Sequence, residues 1–208
     1  MLLEDYAALV LVKRRSVLNI LELYPDIDLS IASFLSMLPG MRLRQYSISS
    51  SPLWDSSRVT LTLAVLREPS LWDTKELFNG VASNYLANLQ PGDRIQLAIR
   101  SSNSAFRLPS DCTIPIVLFA SGAGVAPMRG FIQDRAAQKA AGRQVGKTTL
   151  YFGCRSPEGD FLYSDSDFKQ WVDEGVLEVR PAFSRASDGS LGCRYVQECV
   201  QSAHLCPL

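Results

Sequence analysis

The chain has 208 residues, 47% hydrophobic and 20% charged, with 21 basic and 21 acidic side chains that cancel at neutral pH. That length supports one large domain or two modest ones with their own cores, and the lack of a basic excess argues against a nucleic-acid ligand. No apolar run is long enough to cross a bilayer, because "IPIVLFASGAGVAP" is broken by Pro115 and thinned by glycines.

The opening "MLLEDYAALVLVKRRS" puts acids where a signal peptide needs positive charge, so a cytoplasmic chain is expected. The first forty residues read as helices. "YAALVLVKRRSVLNILELYP" carries apolar residues at helical spacing and closes on Pro25, and "DLSIASFLSMLPG" repeats the pattern, with Asp28 or Ser30 as cap and Pro39-Gly40 as stop. Next, "RQYSISSS", "RVTLTLAVLRE" and "DRIQLAIR" alternate as strands do, the last entered by a turn at Pro91-Gly92-Asp93. Between the last two, "NGVASNYLANLQ" reads as a short helix whose first turn holds Gly80, Ser83 and Asn84. Strands around one short helix suggest part of an antiparallel barrel.

From residue 113 the rhythm becomes strand and helix in turn: "IPIVLFAS", "PMRGFIQDRAAQKAAG", "KTTLYFGCR", "SDFKQWVDEG" and "VLEVRPAFS". Such alternation predicts a doubly wound parallel sheet. The boundary falls near Asp111–Thr113, after the polar loop "SSNSAFRLPSDC".

Several places carry chemistry. In "RLRQYSISSSP", a strand would put Arg44, Tyr46 and Ile48 on one face and Ser47 and Ser49 on the other. A guanidinium beside an aromatic ring suits a ligand with both a phosphate and a flat ring, although an edge strand with a solvated face reads equally well. Ligands of open α/β sheets sit beyond the carboxyl ends of the strands, which here run into "SGAGVAP", "GCR" and "FSR". The sheet reading therefore gathers Gly122, Gly124, Cys154, Ser184 and Arg185 on one rim. Glycines in "GAGVAP" would let backbone N–H groups approach a pyrophosphate, with Pro127 in the first helical turn; the alternative is a plain tight turn. Ser184 and Arg185 suit a 2′-phosphate, or are simply a solvated loop. Cys154 ends an apolar strand, where a buried structural thiol is the commoner role. The five cysteines, Cys112, Cys154, Cys193, Cys199 and Cys206, form no CxxC pair, and His204 is the only histidine. Reduced thiols and no metal site are expected.

Six motifs, "RQYSISSS", "NGVASNYLANLQPGD", "SGAGVAPMRGFIQDR", "LYFGCRSPEGDFLYSD", "AFSR" and "RYVQ", follow one another as in the diflavin reductases. The chain resembles NADPH–cytochrome P-450 reductase and the reductase part of cytochrome P-450 fusions, from about residue 6 to about residue 201. The resemblance implies an α+β protein of two modules. A remnant of a helical connecting region spans 1–40, and an antiparallel Greek-key β-barrel of the ferredoxin-reductase type, binding FAD, spans 41–111. A doubly wound parallel α/β NADP-binding domain, truncated at its C-terminus, spans 112–208. It further implies that NADPH reduces FAD, which passes electrons to FMN on a flavodoxin-like domain and then to the haem of a cytochrome P-450 domain. Arg44 and Gln45 would belong to the FAD site, Arg44 on the pyrophosphate, with Tyr46 stacked on the isoalloxazine and Ser47 near flavin N5. Thr62, Leu63 and Ala64 would meet the flavin edge, and Gly80, Val81, Ala82 and Ser83 the FAD phosphates. Gly122, Ala123, Gly124 and Pro127 would form the NADPH pyrophosphate turn. Ser184, Arg185, Arg194, Tyr195 and Gln197 would form the 2′-phosphate clamp, and Cys154 would stand beside the nicotinamide, sharing the catalytic role with Ser47. A stand-alone ferredoxin-type or flavohaemoprotein-type reductase fits less well, given the helical lead-in and "YFGCR".

The pattern departs from the family in three respects. Ala123 stands where relatives carry threonine, Cys193 where they carry lysine, and the chain stops soon after "RYVQ". The last of these leads to the expectation of a partial gene product, for which a non-catalytic remnant that binds nucleotide weakly or not at all is the alternative reading.

Overall fold

The computed structural model describes residues 3–103 and 105–203, so His204 and Cys206 lie outside the described residues. Two compact units emerge, Met1–Gln45 with Ala64–Arg94 and Tyr46–Leu63 with Ile95–Leu208.

In the first unit, α1 (Leu3–Tyr6) runs into a π-helical turn (Ala7–Leu11), followed by α2 (Val17–Leu23) and α3 (Ile31–Met37). Ser16 starts α2: its hydroxyl accepts the Asn19 N–H at 3.1 Å while the Asn19 side-chain oxygen accepts the Ser16 N–H at 3.1 Å. This reciprocal cap satisfies two orphan donors. Of the two residues that could cap α3, Ser30 does so, accepting the Ser33 N–H. The Arg15 guanidinium lies 3.3 Å over the Trp72 ring. β1 (Arg67–Pro69) and β2 (Leu77–Asn79) pair antiparallel, and α4 (Val81–Ala87) follows directly. Gly80, at the start of α4, donates its N–H to the Leu66 carbonyl at 2.9 Å. A Cβ on Gly80 would lie 2.9 Å from the Leu66 Cβ, so packing alone demands glycine there.

In the second unit, Ile48 and Leu61 form an antiparallel bridge. The serines that follow Tyr46 tie it down. Ser49 donates its N–H to the Thr60 carbonyl at 2.8 Å, and Ser50 Oγ accepts the Thr60 N–H at 3.0 Å. The strands predicted at "RQYSISSS" and "RVTLTLAVLRE" thus meet in a single bridge, and only Arg67 and Glu68 of the latter enter a ladder. The strand predicted at "DRIQLAIR" pairs with no neighbour among the described residues, and Ile95, Leu97 and Ile99 are exposed. Alternation expresses a side-chain preference, whereas a ladder also needs a partner in register and a covered face.

The strand–helix rhythm from residue 113 onward is present in full. β3 (Ile116–Ser121), β4 (Thr148–Cys154) and β5 (Leu177–Phe183) lie parallel in the order β3-β4-β5. They are linked by α5 (Ala126–Ala140), then α6 (Pro157–Asp160) and α7 (Asp167–Asp173), and α8 (Val196–Ala203) closes the described chain. Alternate residues of the strands feed two cores. Leu118, Leu150 and Phe152 pack with Ile132, Phe168 and Trp171 from α5 and α7. Tyr151 and Ala182 pack with Cys193, Cys199 and Val196 at α8. Burying each large side chain of this kind stabilises by roughly 1.5–3 kcal/mol. Gly153 lets α8 come close, since a Cβ there would sit 3.2 Å from a Val196 methyl.

Gly146, just before β4, donates its N–H to the Cys112 carbonyl at 2.8 Å, and a Cβ there would strike the backbone of Thr113 and Ile114. Gly146→Ala is expected to destabilise the second unit by about 2 kcal/mol. Gly40→Ala, which meets open space, should shift stability by less than about 0.5 kcal/mol. Urea denaturation of the two variants measures the difference, and equal midpoints would refute the contact.

Candidate functional site

Beyond Ser121 the chain makes a 3-10 turn (Gly122–Val125) that leads into α5. Gly122 takes a φ of 50°, the left-handed conformation that glycine adopts at no steric cost. A Cβ on Gly122 or Gly124 would meet nothing within 4 Å, so packing does not require either glycine. No side chain caps the turn or α5, and Pro127 sits in the first turn of α5. Ala123 and Pro127 are half-buried beside it.

The turn opens onto a cleft of about 820 Å³, lined by Gly122, Cys154, Ser184, Arg194, Tyr195 and Gln197, with Phe119 and Val196 also on its wall. Its size is that of a small-molecule or cofactor pocket. Parallel pairing carries on past the strand ends to build the rim. Ser184 donates its N–H to the Cys154 carbonyl at 3.0 Å, and Arg185 to the Arg155 carbonyl at 2.9 Å. Gly124 and Arg185 stand just outside the lining, both exposed.

The cations at this rim are differently engaged. Arg155 is held by Asp160, whose carboxylate accepts the Arg155 N–H at 2.6 Å and its Nε at 3.0 Å. Burial works to raise the Asp160 carboxyl, but hydrogen bonds from Arg155 and Ser156 outweigh it and hold the group below the usual carboxylate range. Among the described residues, the Arg185 and Arg194 guanidinium groups have no carboxylate partner, and Arg194 lies 6.0 Å from the centre of the Tyr195 ring. Glu198 turns inward instead, accepting the backbone N–H groups of Arg194 at 2.6 Å and Tyr195 at 3.3 Å. Tyr195 itself is exposed.

Cys154 is 7% exposed at the end of β4. Burial, and after it the Asp160 charge, pushes its thiol up to about 12. The group is therefore a neutral wall and weak donor, not a thiolate nucleophile. Cys193, the position of the missing lysine, is buried against Tyr151, Ala182 and Cys199. A lysine here would have to bury its ammonium, so the outward cation of this loop is Arg194. Burial, then the Cys193 thiol, also raises Cys199 to about 12.

The residues assigned to the flavin are distributed between the two units, and each is described in its own. In the first, Arg44, Gln45 and Ala64 are exposed. The Ser83 hydroxyl is engaged internally, accepting the Leu66 N–H at 3.1 Å and donating to the Gly80 carbonyl. No side chain caps α4 at Gly80, Val81 and Ala82. In the second, Tyr46, Thr62 and Leu63 are half-buried and Ser47 is exposed. Thr62 Oγ1 and the Tyr163 hydroxyl share a hydrogen bond at 2.5 Å.

Sequence reading missed Arg129, Tyr163 and Asp167. Arg129 chelates Asp167 through Nε and Nη2 at 2.7 and 2.5 Å and donates Nη1 to the Ser49 carbonyl at 2.6 Å. Its one signal is an arginine between Met128 and Gly130, on the apolar side of a helix.

The raised Cys154 thiol dictates a pH response. Below the unfolded value near 9 both states are protonated; as pH rises toward 12, the unfolded chain ionises first and the thiol's share of stability is lost. Iodoacetamide labelling of Cys154, followed by peptide mass spectrometry, should therefore stay slow and nearly flat from pH 7 to 9. A free-thiol control should accelerate over the same range. A parallel rise at Cys154 would contradict the burial argument.

Two family models match in tandem: the FAD binding domain over residues 2–85 and the oxidoreductase NAD-binding domain over residues 118–206. A self-sufficient cytochrome P450 monooxygenase of Phanerodontia chrysosporium is 62% identical over 199 residues, covering 96% of this chain and 19% of that protein. A bifunctional cytochrome P450/NADPH–P450 reductase of Fusarium oxysporum is 50% identical over 198 residues, covering 95% of this chain and 18% of that protein. A self-sufficient cytochrome P450 monooxygenase of Aspergillus terreus is 46% identical over 197 residues, with 93% and 19% covered. The chain spans about a fifth of the length of the curated relatives it matches. With a parallel sheet of the nucleotide-binding kind and an FAD-binding segment in one chain, it belongs to the diflavin reductase family and is similar to about a fifth of the length of such cytochrome P450 fusions.

Proposed function

We propose that the chain is an FAD-containing, NADPH-dependent reductase module of the NADPH–haemoprotein reductase type. It serves an FMN-binding flavodoxin-like domain and, through it, a cytochrome P450 haem domain, in cis or in trans. The observation that carries the reading is the cleft where the turn at Gly122, Arg194 without a carboxylate partner among the described residues and the exposed Tyr195 meet, with Arg185 just outside its lining.

Bound FAD supplies hydride acceptance and single-electron release. The residues fit both cofactors. The backbone at Gly122, Ala123 and Gly124 offers N–H groups to a pyrophosphate, with Pro127 setting the helix start behind it. Arg185 and Arg194, with Ser184, take a 2′-phosphate, favouring NADPH over NADH, and Tyr195 and Gln197 cover the adenosine end. The neutral Cys154 thiol lines the nicotinamide end without adding charge. On the flavin side, Arg44 and Gln45 of the first unit would hold the pyrophosphate, while Tyr46 of the second would stack on the ring and Ser47 would donate to it. Thr62 and Leu63 of the second unit, and Ala64 of the first, would offer backbone to the ring edge. Val81, Ala82 and Ser83 act through backbone N–H groups and Gly80 through its close turn, since the Ser83 hydroxyl is already engaged. We assign 1–40 to a helical connecting remnant, 41–111 to a Greek-key FAD barrel and 112–208 to the NADP domain. Among the described residues no helix is long and apolar enough to cross a membrane, which suits the cytoplasmic setting we infer.

Purified chain is expected to carry a flavin spectrum and to reduce ferricyanide with NADPH, yet to reduce cytochrome c only when an FMN domain is added. A colourless protein would instead be a non-catalytic remnant.

Gly124→Ala adds a methyl group to open space. Its folding free energy should move by less than about 0.5 kcal/mol, while the NADPH dissociation constant rises about tenfold. Unaltered NADPH affinity by titration would remove the turn from the site.

A further inference from the structure

The bridged segments 46–50 and 60–63 are fastened to the nucleotide-side helices by one set of side chains. Arg129 projects from α5 and forks. Its Nε and Nη2 hold Asp167 of α7, and its Nη1 donates to the Ser49 carbonyl and, at 3.4 Å, to Thr60 Oγ1. The guanidinium also lies 4.8 Å over the Tyr163 ring, and that tyrosine's hydroxyl bonds Thr62. Tyr163 takes a φ of 66°, a left-handed backbone that costs a non-glycine residue of order 1 kcal/mol or more. Ser51 adds its N–H to the Gln133 side-chain oxygen at 2.9 Å and its hydroxyl to Asp134 at 2.8 Å. Gly130 leaves room for the Ser50 carbonyl, which would lie 3.4 Å from a Cβ there. Both bridged segments are thus held from α5 and the loop before α7, and each leads to residues assigned to the flavin.

We propose that Arg129, Tyr163 and Asp167 form a positioning clamp, which fixes the Tyr46–Ser47 and Thr62–Leu63 backbone against α5 and so sets the approach of the two cofactors for hydride transfer. The clamp rests on the reductase reading above. Its members are absent from the cleft lining, and it meets the residues assigned to the flavin through the Tyr163–Thr62 hydrogen bond. Its effect is geometric. A misplacement on the order of 1 Å between reacting groups can cost about a hundredfold in rate. Arginine is needed because a planar fork reaches a carboxylate and a carbonyl on opposite sides at once, which a single ammonium does not. The left-handed tyrosine aims its hydroxyl at Thr62 while offering its ring to Arg129.

The test uses the full chain with Arg129→Lys and Tyr163→Phe. Both keep charge or ring, and Tyr163→Phe loses only one hydroxyl, so it decides the matter if the lysine variant fails to fold. Three readouts are compared with wild type: flavin content and NADPH affinity, stopped-flow reduction of the bound flavin by NADPH, and amide hydrogen exchange over residues 47–63. Expected are flavin content and NADPH affinity within about twofold, a reduction rate lowered about tenfold, and faster exchange over 47–63 with α5 unchanged. Unchanged exchange over 47–63 overturns the clamp. So does a normal reduction rate despite faster exchange, or a fall in NADPH affinity equal to the fall in rate. If wild-type flavin is not reduced by NADPH, the reductase reading fails and the positioning role for hydride transfer falls with it; faster exchange would then show the fastening alone to be real.

Discussion

In-register parallel pairing of β3, β4 and β5 is the constraint from which the site follows. Parallel strands need crossovers that return the chain to the same starting edge, so all three strands end at one rim. Segments more than sixty residues apart in sequence, the turn after Ser121 and the loop after Phe183, are brought to one cleft by backbone hydrogen bonds alone. A slip of one residue in β4 would turn Leu150 and Phe152 away from α5 and α7 and bring Tyr151 in. Core and cleft would be lost together. Both depend on the same register.

Packing holds the glycines of this chain to different degrees. At Gly80 and Gly146 a side chain would collide with Leu66 or Thr113, and at Gly153 it would press on Val196, so the fold itself accounts for them. At Gly122 and Gly124 no such neighbour exists, as is also true of Gly40, Gly92, Gly142 and Gly192. The sequence alone could not tell which glycines packing requires, since tight turns and close approaches both call for small residues. Space around the missing Cβ is a property of the assembled unit.

The same division explains what could be read from the residues and what could not. The α/β half was readable because a parallel strand buried on both faces leaves a strong local pattern, as in "TTLYFGC", and because strands and helices alternate along it. The half before residue 111 was less so. "DRIQLAIR" alternates well, yet Ile95, Leu97 and Ile99 are exposed and unpaired among the described residues. Pairing is a non-local property. Cys193 looked like a damaged clamp, whereas it is a core residue whose neighbour Arg194 faces outward. Arg129 drew no notice in the sequence, because its partners Ser49 and Asp167 lie 80 and 38 residues away. Ser83 is expected at the FAD phosphates from its motif, and only the assembled turn shows that its hydroxyl pairs with Leu66 and Gly80.

The charges around the cleft bear on the proposed binding mode. Asp160 neutralises Arg155 beside Cys154, and burial keeps that thiol protonated. Arg185, whose backbone N–H bonds the Arg155 carbonyl, and Arg194 are exposed and without carboxylate partners among the described residues. An exposed guanidinium keeps its water until a ligand arrives, and a phosphate replaces that water with paired, charge-assisted bonds. A neutral ring, by contrast, gains from the apolar wall of Phe119 and Val196. A ligand that joins a phosphate to an uncharged ring would therefore gain on both counts, whereas a wholly neutral one would leave both guanidinium groups unpaired.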